Sequence, residues 1–146
     1  MKQVNEKPWR LIKNIAVAAI VFLILEYISG MWLNIYTSDS LNAVSKLTIG
    51  NSPIFLIHII ISLVLFSNSL AIIFFAIKHK IKSWILCSVI SLISIIISAN
   101  QGEQFIKYEN KSSSFLMAIA FAIAFSAYSY GLIVNKKNLP EIDEDE

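Results

Sequence analysis

The stretch IAVAAIVFLILEYISGMWLNIY, residues 15–36, decides the fold. It is an almost unbroken apolar run, and about 20 such residues in a helix cross the hydrocarbon core of a bilayer. Its acidic residue, Glu26, lies near the middle, where a charged side chain costs roughly 2.5–3.5 kcal/mol on insertion scales. An acid at that depth is a site hypothesis, and it requires a polar partner on another helix.

Three further apolar runs follow, and polar segments separate them. Of the 146 residues, 56% are hydrophobic and 15% are charged, a composition too apolar for a soluble domain of this size. We therefore predict one all-α, membrane-embedded bundle of four transmembrane helices with antiparallel, up-down connections. The predicted helices cover residues 11–36, 53–77, 83–99 and 114–134, with polar connectors at 37–52 and 100–113, a basic turn at 78–82 and an acidic tail at 138–146.

The distribution of basic residues predicts the orientation. Of the twelve Lys and Arg residues, Lys46, Lys107 and Lys111 fall in the two polar connectors. The others lie in the N-terminal segment, the turn at 78–82 and the pair at 136–137, which share the opposite side of the predicted bundle. Because short cytoplasmic loops carry the excess of Lys and Arg, we expect both termini in the cytoplasm and the chain in the cell membrane.

Small and polar residues form stripes at helical spacing. The second helix carries a stripe that begins at His58, and the third carries a serine stripe. The fourth offers two neighbouring faces of small residues. Such stripes are typical of packing seams, where helix backbones approach closely and hydroxyl groups bond across helices. The stripes are His58, Ser62, Leu65 and Ser69; Cys87, Ser91, Ser94, Ser98 and Gln101; Ala120, Ala124, Ala127 and Gly131; and Ala118, Ala122 and Ser126.

A candidate site follows from the depth of the polar residues. No Lys or Arg lies at the depth of Glu26, so we expect Asn68 and the serines of the third helix to be its partners. His58 falls about one turn inside the second helix, level with Gly30 to Asn34. The predicted ligand-binding residues of this polar pocket are Glu26, Asn34, His58, Asn68, Ser98 and Gln101, with Asn100 beside them. The alternative is that Glu26 and His58 are structural groups with satisfied hydrogen bonds.

The function is less constrained than the fold. Nucleotide-binding, metalloprotease and hydrolase motifs do not occur in the sequence, which favours a non-catalytic accessory or binding subunit that contacts other membrane proteins or its own copies, without nucleic acid. One alternative is a proton or cation transporter or channel that uses Glu26. A second is a redox protein that binds haem or quinone through His58. Because His79 lies at the opposite membrane face, haem would need Met31 or a second subunit's histidine as its other ligand.

Four segments carry a resemblance: YISGMWLNIY at 27–36, the histidine near the start of the second helix, NQGEQFI at 100–106 and SSFLMAIAFAIAFSAYSY at 113–130. With them the chain resembles small four-helix integral membrane proteins of archaea and bacteria whose activity is uncharacterised. The resemblance covers most of the chain. It implies the same four-helix membrane fold, and it brings no activity with it.

Overall fold

Four long helices make up almost all of the structure, a computed structural model that describes residues 7–37, 52–108 and 111–136. Each is long and apolar enough to cross a membrane, so the chain is an all-α, multi-pass membrane protein, as the sequence predicts. The predicted acidic tail and most of the first connector lie outside the described residues. The helices are α1, Lys7–Thr37; α2, Pro53–Lys78; α3, Lys82–Tyr108; and α4, Lys111–Lys136.

The helices form a closed ring in chain order. Each packs against its neighbours in sequence, and α4 also packs against α1, which closes the ring. Contacts between elements show the antiparallel arrangement: Ser114, near the start of α4, meets Asn34, near the end of α1. At the opposite end, the Trp9 and Trp84 rings at the starts of α1 and α3 lie 6.1 Å apart. The bundle therefore has two distinct ends.

A tight turn joins α2 to α3. The backbone N–H of Ile81 donates to the carbonyl of Ala76 at 2.9 Å, and that of Lys80 donates to Ile77 at 3.0 Å. This pair of bonds is the Schellman motif, which satisfies carbonyl groups at a helix end and places one residue in the left-handed region. Lys80 occupies that position with φ of 57°. The short turn fixes α2 and α3 as antiparallel neighbours, as predicted.

The structure corrects the end of the third helix. The predicted connector at 100–113 is wrong over residues 100–108 and 111–113, because α3 continues to Tyr108 and α4 begins at Lys111. The reason is that polar residues end an apolar run without ending a helix. Gln and Glu are good helix formers, and Glu103 forms an ion pair with Lys107 one turn later. Helix α3 therefore supplies side chains to the end of the bundle where α1 also ends.

One half of the bundle is closely packed. We call it the packed end: it contains the starts of α1 and α3, the end of α2 and the end of α4. Trp84 and Tyr128 are completely buried there, and the Tyr128 hydroxyl lies 2.7 Å from Ser69 Oγ. The remaining fully buried apolar residues of this half are Ile12, Ala16, Ala19, Ile72 and Ala76.

The first of the two predicted seams on α4 is confirmed. Ala120, Ala124, Ala127 and Gly131 are all buried, whereas Ala122 and Ser126 on the neighbouring face are exposed. The seam brings α4 close to the Trp84 ring at the packed end. A Cβ atom added at Gly131 would lie 2.7 Å from Cζ3 of the Trp84 ring. Glycine is required there because the indole ring occupies the space of a side chain.

Replacing this glycine tests the packing. We expect Gly131→Ala to destabilise the protein by about 1–3 kcal/mol, because the added methyl group overlaps a buried ring. Gly102→Ala is the matched control, since its Cβ would meet Met117 Sδ at an ordinary 3.6 Å. Thermal unfolding in mild detergent measures both. Equal midpoints for the two variants would contradict the close approach, and adding Trp84→Phe should relieve the loss in Gly131→Ala.

Candidate functional site

The other half of the bundle encloses a cavity of about 530 Å³. We call this half the open end: it contains the ends of α1 and α3 and the starts of α2 and α4. All four helices contribute to the wall, which is mainly apolar. From Asn34 at the open end to Leu23 at the floor, α1 spans about 16 Å. The polar and charged residues of the wall are Glu26, Asn34, His58, Ser62, Ser94, Ser98, Glu103, Lys107 and Ser114.

The Glu26 carboxyl group is the buried acid of this wall, with 17% of its side chain exposed. Ser62 Oγ on α2 donates a hydrogen bond to Glu26 Oε1. His58 Nδ1, one turn earlier on α2, lies 3.3 Å from Glu26 Oε2. The contact between α1 and α2 is therefore polar at the depth of Glu26. It supplies the partners that a carboxyl group needs in an apolar environment.

A second contact fixes the orientation of the histidine ring. Ser29 Oγ donates to the Glu26 carbonyl at 3.0 Å and lies 2.9 Å from His58 Nδ1. Ser29 Oγ is therefore within hydrogen-bond distance of both the Glu26 carbonyl and the imidazole ring. A Cβ atom at Gly30 would be 3.2 Å from His58 Cε1, so this glycine leaves room for the ring.

One carboxyl oxygen keeps spare acceptor capacity. Nδ1 of His58 is closer to Ser29 Oγ than to Glu26 Oε2, and across the described part of the chain no hydrogen bond reaches this buried oxygen. An acceptor buried without a donor costs about 1–3 kcal/mol. Glu26 is thus held on one side by Ser62 and remains incompletely satisfied on the other.

The structure sorts the six predicted site residues into two groups. Glu26, Asn34, His58 and Ser98 line the one cavity, and Asn34 also accepts a hydrogen bond from Ser114 at 3.3 Å. The other two, Asn68 and Gln101, are not part of its wall. That these residues bind a ligand remains a prediction.

The expected partners of Glu26 were wrong. Ser62 and His58 are the side chains that contact the Glu26 carboxyl group. Asn68 lies six residues after Ser62 on α2, which places it about 9 Å deeper in the bundle. Ser91 and Ser94 of α3 donate instead to carbonyls of their own helix, Ser91 to Cys87 at 2.9 Å and Ser94 to Ile90 at 2.9 Å, and Ser91 also lies 3.4 Å from the Ala124 carbonyl of α4. Antiparallel packing brings the start of α2 to the second half of α1, which selects Ser62 over Asn68.

Sequence reasoning also missed the aromatic and rim residues of the cavity. Tyr27 and Phe121 stack with ring centroids 4.7 Å apart and both line the wall. Glu103 and Lys107 lie at the rim as an ion pair, both more than half exposed. The spacing of Glu103 and Lys107 at i, i+4 was a usable signal for a continuing helix. The pairing of Tyr27 with Phe121 depends on helix rotation, for which the sequence has no signal.

Comparisons with protein-family models, curated proteins and solved structures gave no match to this chain. The chemistry of the site is therefore read from its own residues. Within residues 7–37, 52–108 and 111–136, no group of three or more His, Cys, Asp or Glu side chains is placed to hold a metal ion. The cavity wall is mainly apolar and contains one buried carboxyl group and one imidazole.

Removing the hydrogen bond from Ser62 to Glu26 tests the polar contact between α1 and α2. We expect Ser62→Ala to destabilise the protein by about 1 kcal/mol, because Glu26 Oε1 loses its donor within an apolar wall. Ser67→Ala is the matched control, since exposed Ser67 donates to the Leu63 carbonyl of its own helix at 2.9 Å. Thermal unfolding in detergent gives both values. A Ser62→Ala effect that persists undiminished in a Glu26→Leu background would contradict the pairing.

Proposed function

We propose that this protein is a non-catalytic binding subunit of a membrane assembly, and that the cavity at its open end holds a small ligand. The observation that carries the proposal is the cavity itself. Its volume of about 530 Å³ falls within the 300–1,000 Å³ range of small-molecule sites. Like such sites, it has a largely apolar wall with a few polar groups gathered at one place.

The shape of the bundle favours binding over conduction. The cavity ends at a floor that includes Leu65 and Ala124, which are almost completely buried. Beyond the floor, the packed end is filled by Ile72, Trp84 and Tyr128, all completely buried. A cavity closed at one end supports a ligand site more directly than a continuous path. Transport through Glu26 and redox chemistry through His58 stay as alternative predictions.

A polar residue near the middle of α2 supports the subunit part of the proposal. Asn68 is partly exposed and lies about 15 Å from the Lys78 end of its helix. Among the described residues the side-chain amide of Asn68 has no hydrogen-bond partner. The hydroxyl group of its neighbour Ser67 donates to a carbonyl of its own helix. An amide in hydrocarbon gains from a polar partner on another helix. We propose that a transmembrane helix of a second membrane protein supplies that partner.

Co-purification tests the assembly. We expect the tagged protein, extracted from its native membrane in mild detergent, to carry a second membrane protein in a fixed ratio. The variant Asn68→Leu should lose most of it, because the interhelical hydrogen bond is gone. Asn14→Leu is the matched control, since Asn14 is exposed near the start of α1. A protein that is monomeric and partner-free in wild type and both variants would contradict the proposal.

We also propose that the bundle lies in the cell membrane with both termini in the cytoplasm. The support is the excess of Lys and Arg at the N-terminal segment, the α2–α3 turn and Lys136. The open end then faces away from the cytoplasm, and the cavity receives its ligand from outside.

Labelling of introduced cysteines tests the orientation. In a Cys87→Ser background, we expect Tyr108→Cys at the open end to react with an impermeant maleimide on intact cells. Lys80→Cys should react only after permeabilisation, because the α2–α3 turn is on the cytoplasmic side. Both positions are exposed, so access to solvent does not distinguish them. The reverse pattern would overturn the orientation.

A further inference from the structure

We propose that the ligand of the cavity is an organic ammonium ion on an apolar or aromatic body, and that the Glu26 carboxylate is its counter-charge. This inference rests on the ligand-binding function proposed above and names the chemical class of its ligand. It follows from the charges, the hydrogen bonds and the aromatic rings of the cavity wall.

The charges of the wall select a cation. Four charged or chargeable side chains line it: Glu26, His58, Glu103 and Lys107. Glu103 and Lys107 neutralise each other at the rim, where both are exposed. The buried part of the wall therefore contains one acid and one imidazole, and Lys107, already paired, is the sole lysine or arginine of the wall as described. Moving a ligand anion into this enclosure would be opposed, while a cation gains a partner.

The hydrogen bonds of Glu26 leave room for a donor. Ser62 supplies one hydrogen bond to Oε1, and Oε2 is without one in the described structure. A carboxylate accepts several hydrogen bonds, and an ammonium group donates up to three. Oε2 is buried at the α1–α2 contact, so an ammonium group in the cavity meets the part of the Glu26 carboxyl group that is still exposed and forms a charge-assisted hydrogen bond there. The ligand thus adds to the hydrogen bond that Ser62 already donates to this carboxyl group.

Aromatic rings line the same cavity as the carboxyl group. Tyr27 follows Glu26 in the chain and stacks on Phe121, and both side chains line the cavity. Phe55 and Phe105 add further rings to the wall. Aromatic faces attract ammonium groups through the ring quadrupole, most strongly where water is excluded, and they also pack against an apolar body. The wall accommodates both parts of such a ligand.

The same ion pair forms whether the free ligand enters as an ammonium ion or as a neutral amine. An ammonium ion that meets a carboxylate forms the ion pair directly. A neutral amine that enters and accepts the carboxyl proton of Glu26 forms the same pair, with no proton gained or lost overall. No other reactant is needed in either case.

The ammonium group has two possible sources with the same chemistry. One is a free amphiphilic amine, and the other is the ethanolamine headgroup of a membrane lipid. Binding in nanodiscs of pure phosphatidylglycerol removes the lipid amine. Adding phosphatidylethanolamine then assigns the source: competition with the probe assigns the site to the lipid headgroup, and lack of competition assigns it to a free amine.

The test uses three probes that share one apolar body: 4-phenylbutylamine, 4-phenylbutanol and 4-phenylbutyrate. They are respectively cationic, neutral and anionic at neutral pH. Dissociation constants are measured with the wild-type chain in phosphatidylglycerol nanodiscs, with empty nanodiscs subtracted. We expect the amine to bind at least about tenfold more tightly than the alcohol, and the carboxylate to bind most weakly, as a semi-buried charge pair implies.

The outcomes separate the two proposals. If the alcohol binds as tightly as the amine, the ammonium class is overturned and the ligand-binding function stands. If none of the three probes binds, the binding function proposed above fails, and this inference fails with it. The wild-type comparison needs no variant, so its result does not depend on the folding of a mutant.

A variant pair then assigns the counter-charge. We expect Glu26→Gln to weaken binding of the amine about tenfold or more, because the amide keeps the size and removes the charge. Lys13→Gln is the control for the loss of a charge, since Lys13 is exposed near the start of α1 and is not part of the cavity wall. It should change the constant less than about twofold. Equal losses in both variants, or a loss in Lys13→Gln alone, would overturn the assignment to Glu26.

Discussion

A carboxyl group inside a membrane helix must find hydrogen-bond donors, and the arrangement of the open end follows from this constraint. Glu26 meets Ser62 and His58 across the α1–α2 contact. These contacts fix the register of the two helices, because a shift by one turn would take Glu26 away from Ser62. Ser29 contacts the His58 ring, and Gly30 leaves space for it.

The two ends of the bundle differ in their side-chain packing. At the packed end, small residues on α4 let the helix approach Trp84, and the indole ring fills the interior. At the open end, serine, alanine and glycine residues of α3 and α4 line a cavity whose wall also includes Tyr27, Phe55 and Phe121, and these rings do not fill it. Small residues therefore produce close packing in one half and free volume in the other. The difference is whether a large ring from a neighbouring helix occupies the space.

The fold was largely predictable from the sequence because bilayer thickness sets the length of the apolar runs. Glu26 and His58 were predictable as site residues because buried polar groups are rare and costly in such runs. The partner of Glu26 was not predictable. Depth counted from the helix ends pointed to Asn68 and the serines of α3, and only the packed register shows that Ser62 and His58 meet Glu26. The extension of α3 to Tyr108 was missed because hydropathy reports the membrane boundary and not the end of the helix.

A distance measurement in a lipid bilayer tests the contact between Glu26 and His58, on which the arrangement of the open end depends. The chain contains two histidines, so a His79→Gln variant leaves His58 alone to carry a ¹⁵N label, with ¹³C in the glutamate carboxyl groups. Solid-state NMR then measures the dipolar coupling between Glu26 Cδ and His58 Nδ1. With Oε2 3.3 Å from Nδ1, the account predicts a clear coupling. The absence of coupling in folded, bilayer-embedded protein would contradict it.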